Sequence, residues 1–173
     1  MSYVKRTSKY LPTWIQNMEI YNSRAKNPYA YPGNEMPNCT TYAFGRWYEI
    51  TGQRPRIPVH QASHWYEHTE DGYARSQTPS LGDIICFSGG SDGAGHVGIV
   101  EEINYDSQGR VRTINTSNSA YVSTDRTPEN PKYFYMKLLE AENHYYMGAG
   151  YTFLGFIKCP FYKFPLIYYT RRY

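Results

Sequence analysis

The chain has 173 residues, with 18 Lys and Arg against 15 Asp and Glu, a net charge of +3, 19% charged residues and 17% aromatic ones, including 20 tyrosines. That length supports one domain with a real core, and the aromatic content excludes a disordered chain. The slight basic excess is far from the concentrated patch of a nucleic-acid binder, and no apolar run is long enough for a membrane span or a secretory leader.

Leu11, Trp14, Ile15, Met18, Ile20 and Tyr21 fall at mixed helical spacing and predict a helix over residues 10–25 that packs on the core. Residues 27–37 carry Pro28, Pro32, Gly33, Asn34 and Pro37 and read as a loop. A helix follows from Cys39 to about Ile50 and stops at Thr51-Gly52. After a loop from Gln53 to Val59, a further helix is expected from His60 to Thr69, ending near Asp71-Gly72. Beyond Ser80 the pattern changes. Residues Ile84 to Phe87, His96 to Ile103, Val111 to Ser117 and Phe153 to Lys158 read as strands, separated by turn clusters at 88–95 and 106–109. Helices gathered ahead of an antiparallel sheet define an α+β domain.

Cys39 stands where the loop becomes a helix. There the positive end of the helix dipole and the unpaired first-turn amides favour thiolate, the nucleophilic form. The competing reading is a buried structural cysteine. His96 opens an apolar strand-like run, Gly95-His96-Val97-Gly98-Ile99-Val100, and a helix-start cysteine with a strand histidine is the layout of a papain-type hydrolase. Cys86 and Cys159 lie in strand-like apolar surroundings and read as structural, and the three cysteines have neither disulfide nor zinc spacing. His60, His64 and His68 recur every fourth residue of the expected helix, with Glu67 beside His68. This is not the H-E-x-x-H order, and no further ligand is apparent, so they are expected to be solvated and to hold no metal.

The Cys39 run, the Gly82-Asp83-Ile84 turn, Gly95-His96-Val97 and Thr116-Ser117-Asn118-Ser119-Ala120-Tyr121 occur in an order that resembles CHAP domains. These are the cysteine, histidine-dependent amidohydrolase/peptidases of phage lysins and bacterial wall-remodelling enzymes. The resemblance covers roughly residues 12–160. It implies a papain-like CHAP fold and cleavage of a peptidoglycan amide bond, as an endopeptidase or an N-acetylmuramoyl-L-alanine amidase. Cys39 would attack the carbonyl and His96 would take the thiol proton. Lining up Tyr121 with the aromatic that closes the family's third motif puts Asn118 where an orienting glutamate is often found, with Asn115 as the fallback if the strand register slips. Asn118 would hold Nδ1–H and leave Nε2 facing Cys39; the competing reading is a turn-capping amide. The oxyanion would be met by the backbone N–H of Cys39 and by the side chain of Asn38, which is equally suited to cap the helix.

The resemblance further implies a catalytic domain over 1–160 and an aromatic tail over 161–173. No cofactor is expected. The calcium that some phage CHAP domains hold ahead of the cysteine is not expected either, since Glu35 is the sole carboxylate from Asn27 to Asn38. The partner would be bacterial peptidoglycan, together with phage tail proteins if the enzyme is tail-borne. It would be made in the host cytoplasm without a signal peptide and act on the wall. The alternative function is a phage tail structural or wall-binding module that retains the fold.

Overall fold

Asn38 starts the principal helix. Its extended backbone breaks the preceding loop, and its side-chain oxygen accepts from the amides of Thr40 and Thr41, two of the donors a helix start leaves unpaired. The helix, α2 (Cys39–Thr51), ends at Gly52, whose φ of 68° places it in the left-handed region that closes helices. It is preceded by α1 (Glu19–Asn22) and followed by two short 3-10 turns, Ala62–His64 and Thr69–Asp71. The computed structural model describes residues 5–6, 17–119, 132–139, 144–145 and 150–160; Leu11, Trp14, Ile15, Tyr121 and the 161–173 tail lie outside the described residues.

Among the described residues seven strands follow: β1 (Arg75–Ser76), β2 (Ile84–Gly89), β3 (His96–Tyr105), β4 (Val111–Asn118), β5 (Lys132–Leu139), β6 (His144–Tyr145) and β7 (Tyr151–Ile157). They form an antiparallel sheet in the order β1-β7-β2-β3-β4-β5-β6. The architecture is the expected α+β one. Alternation along the strands builds two cores. Ile84, Cys86, Val97 and Ile99 join Tyr42, Phe44 and Trp47 of α2 on one face, while Ile85, Phe87, Val100, Ile114, Phe153 and Phe156 pack on the other. Trp47 is fully buried and donates its indole N–H to Gly82 O at 2.6 Å, so its large apolar surface is buried at no cost in unpaired polar atoms.

Two expected helices come out differently. The first ends at Asn22 rather than near residue 25, because the buried Asn27 side chain donates to Ile20 O, the carbonyl that would continue the helix, and to Thr41 O on α2. Residues 60–69 are not an α-helix. The Arg75 guanidinium draws off the carbonyls of Trp65, Tyr66 and His68 at 3.0, 2.9 and 2.6 Å, so they are turned toward β1 and not along a helix axis. Asp71 completes that arrangement with a buried carboxylate 2.8 Å from the same guanidinium. Within this segment, Ala62 and Trp65 face the core.

A buried ionic clamp fixes α2 to the sheet. Arg46 donates from Nε and Nη2 to the two oxygens of Glu101 on β3, at 2.9 and 3.0 Å. Ser117 on β4 donates to Glu101 at 2.7 Å, and Tyr42 of α2 donates to Ser117 at 2.8 Å. Helix, β3 and β4 are thereby held in one register.

Candidate active site

The same three elements carry Cys39, His96 and Asn118. His96 and Asn118 meet directly: Nε2 of the ring lies 3.0 Å from the Asn118 side-chain oxygen, and both residues are buried. The amide is held the right way round by Thr116, which stands two residues earlier on the same side of β4. Thr116 accepts from Asn118 Nδ2 through its hydroxyl at 2.7 Å and its carbonyl at 3.2 Å. With Nδ2 so committed, Oδ1 is the acceptor facing the ring and Nε2 carries the proton. This corrects the expected tautomer. Nδ1 is the nitrogen left with a lone pair, because the ring extends its Nε2 edge across β3 toward β4.

The reach across β3 depends on Gly98. A Cβ at that position would lie 2.1 Å from Asn118 Oδ1, so a side chain there and the orienting amide exclude one another. Gly98 and Thr116 are positions of the candidate site that the sequence reading passed over. The spacing held a signal for both, since each lies two residues from a site residue on its own strand and so on the same face. Tyr151 was also missed. Its ring meets His96 edge-on at 6.5 Å between centroids, and it comes from β7, some fifty residues further along the chain.

Cys39 is half-buried at the first position of α2. Burial pushes its thiol up to about 11, while the backbone N–H groups of Val97, Thr40 and Cys39 itself act in the opposite direction. The expected thiolate at a helix start is thus outweighed by desolvation. The Val97 contact is informative in another way, because it sets the sulfur beside the peptide that follows His96. Burial also lowers His96 to about 4, against the hydrogen bond it donates to Asn118, which favours the charged ring. Both groups are therefore neutral near pH 7 in the unliganded protein.

Asn38 is committed to capping. Its oxygen accepts from Thr40 N at 2.9 Å, and its Nδ2 donates to Asn34 Oδ1 at 2.9 Å. Asn115 lies away from the imidazole and donates to Glu102 at 2.8 Å. Cys86 and Cys159 are buried and unpaired with each other, and burial in the apolar core holds the Cys86 thiol far above its usual range. A cavity of about 420 Å³ opens over Cys39, with Tyr29, Tyr31, Asn34, Val59 and His60 among its walls and Asp92 as its one carboxylate among the described residues. Its size suits a peptide segment of a few residues.

The histidines of residues 60–68 do not lie along a helix face. His60 and His68 stack on each other, and Glu70, which the sequence reading did not count, approaches both. The turns bring beside the two rings a carboxylate that a continuous helix would have carried away.

With fold and site in view, comparison with known proteins is direct. The CHAP domain family model matches residues 29–119, from the cleft wall through Cys39 and His96 to the residue after Asn118, and the chain belongs to that family. Comparison with curated proteins gives no match. Among solved structures, the chain is similar to an N-acetylmuramoyl-L-alanine amidase from Staphylococcus aureus, at 22% identity and a TM-score of 0.47 over 75% of this chain. It spans 34% of that protein's length.

Proposed function

We propose that this CHAP domain is a peptidoglycan hydrolase that cleaves an amide bond of the bacterial wall through a Cys39 acyl-enzyme. The observation that carries this reading is the buried His96–Asn118 pair at 3.0 Å, set on the strand whose next amide points at the Cys39 sulfur. An imidazole with one nitrogen held by a buried acceptor has a fixed plane and tautomer, which a general base requires and a purely structural histidine does not.

Cys39 and His96 start neutral, so the proton leaves sulfur for Nδ1 as the sulfur attacks the carbonyl carbon. The amide C–N bond then breaks, the imidazolium returns the proton to the leaving nitrogen, and water hydrolyses the thioester. The Cys39 backbone N–H at the start of α2 would receive the oxyanion. With Asn38 engaged as the helix cap, its Nδ2 would contribute only by turning from Asn34. A neutral Asn118 orients the ring without the charge a glutamate would add. Resemblance to phage lysins supports a setting in which the enzyme opens the wall during phage entry or release.

Digestion of purified walls from several Gram-positive species, with mass spectrometry of the soluble fragments, tests the reading. New amino termini within the stem or bridge peptide mark an endopeptidase; separated muramic acid and L-alanine mark an amidase. Walls left intact by the wild type under conditions where a control lysin releases fragments would sink the proposal.

A further inference from the structure

At the rim of the cleft lies a second cluster of ligating side chains. His60 and His68 stack with ring centroids 3.9 Å apart and planes 6° from parallel. Glu70 Oε1 lies 3.1 Å from His68 Nδ1 and 3.9 Å from His60 Nε2. One ligand atom from each of the three falls within 4.8 Å of the others. A tetrahedral zinc ion with nitrogen and oxygen donors at about 2.0–2.1 Å sets neighbouring donors roughly 3.3 Å apart. The two carboxylate–imidazole separations bracket that value. The parallel rings aim their lone pairs into separate planes, so closing the shell requires the His60 and His68 rings to unstack and tilt by side-chain rotation, which their partly exposed positions permit.

The backbone beneath the cluster is held independently of any ion. Arg75 binds the carbonyls of Trp65, Tyr66 and His68 and grips Asp71, so the chain is fixed on both sides of His68 and Glu70. His60 donates its amide to the Tyr29 hydroxyl at 3.2 Å and accepts from the Trp65 indole at 3.2 Å. Three flexible side chains thus project from anchored positions, the arrangement by which an outer shell orients metal ligands. A neighbouring set, His64, Glu67 and His68, is less suited. His64 Nδ1 and Glu67 Oε1 are closed to 2.5 Å in a direct hydrogen bond that an ion would have to break.

We propose that His60, His68 and Glu70 form a three-ligand site for a divalent transition ion of the zinc class, with its remaining position open to water or substrate. Two imidazoles and one carboxylate favour such ions over calcium or magnesium, which take oxygen donors. Because His60 also lines the cavity over Cys39, the ion would stand at the cleft edge. It takes no part in the Cys39–His96 chemistry, and its binding is measured apart from wall hydrolysis.

The test is calorimetric titration of Zn²⁺ into chelator-stripped full chain carrying Cys39→Ser, so that the thiol cannot serve as ligand. One ion should bind per chain at micromolar affinity or tighter. Affinity should fall by about ten-fold or more in His68→Ala and in Glu70→Gln, the scale on which ligand-shell changes act. His64→Ala should leave it within about two-fold, since that group lies outside the proposed shell. Co²⁺ loading should give the visible absorption of a four-coordinate ion, lost in the same two variants. Circular dichroism of the variants separates ligand loss from misfolding. Three results would each overturn the proposal: no saturable binding by a folded chain, binding retained by both His68→Ala and Glu70→Gln, or binding that requires His64 as strongly as His68.

Discussion

The clamp and the candidate site are built from the same three elements and treat charge in opposite ways. In the clamp, Arg46 of α2, Glu101 of β3 and Ser117 of β4 form a paired ionic network on the helix side of the sheet. In the candidate site, His96 of β3 meets Asn118 of β4, and Cys39 stands at the start of the helix beside the Val97 amide. Adjacent residues on one strand serve the two purposes, Ser117 the clamp and Asn118 the site, because alternation sends them to opposite faces. Buried charge is tolerable in the clamp because donors surround it. In the candidate site, burial keeps thiol and imidazole neutral near pH 7. The comparison teaches that the fold concentrates permanent charge in the clamp and keeps the candidate nucleophile and base uncharged.

The sharpest way to break this comparison is to separate the two regions by mutation. Cys39→Ala should abolish wall clearing while the thermal midpoint stays near that of the wild type, and Cys86→Ser and Cys159→Ser should keep clearing walls. Residual lysis by Cys39→Ala, measured by turbidity, would remove the nucleophile from the scheme. Glu101→Gln should show the reverse pattern. It removes the buried charge partner of Arg46, which keeps Glu49 at 3.4 Å, and should cost up to about 3–5 kcal/mol in denaturant unfolding, yet the fraction that stays folded should turn over normally. A proportionate loss of kcat in that folded fraction would show that the clamp and the site are one unit.

Acid tests the neutral half of the comparison. The pKa of His96 is depressed to about 4 in the folded protein, so between pH 4 and its ordinary 6.5 the unfolded chain binds the additional proton. Stability from this group therefore rises with pH across that window and is lost as pH falls through it, by up to about 3 kcal/mol. Urea midpoints at pH 4.5 and 7 for wild type and His96→Gln check the sign; an unchanged slope in the variant would assign the acid sensitivity elsewhere. The smallest effects sharpen the site itself. Asn118→Ala should lower kcat by about ten- to a hundred-fold with little change in KM, the loss expected for a neutral orienting group. Gly98→Ala should reproduce that loss by displacing the same amide, and Asn115→Ala should leave kcat within about two-fold, since it faces Glu102. Full activity in Gly98→Ala would show that the amide's position is immaterial.

Local signals carried much of this into the sequence. The start and stop of α2 were legible because Asn38 and Gly52 are strong caps, and β2, β3, β4 and β7 because their apolar runs are bounded by turn residues. Alternation along β4 was enough to separate Asn118 from Asn115. What escaped was decided by partners distant in sequence. Residues 60–69 have helical spacing, but Arg75 claims their carbonyls. The sulfur's environment was misjudged because the dipole is a local property and burial is a tertiary one. The choice of ring nitrogen depended on a missing Cβ at Gly98 and a hydroxyl at Thr116, neither of which carries chemistry by itself.

The strand order has a consequence for when the candidate site is completed. β7 lies between β1 and β2, so the two strands nearest it in space are laid down some seventy residues before it. Arg75, the hub of the cleft rim, pairs with Ile157, and Tyr151 beside His96 belongs to the same late strand. Closing such long-range pairings is slow relative to forming α2 or the β3–β4 hairpin. During synthesis, the chain that already holds Cys39, His96 and Asn118 still lacks the strand that joins its sheet and walls its imidazole. The wall of the candidate site beside His96 is thus completed only after α2 and the β3–β4 hairpin can already have formed.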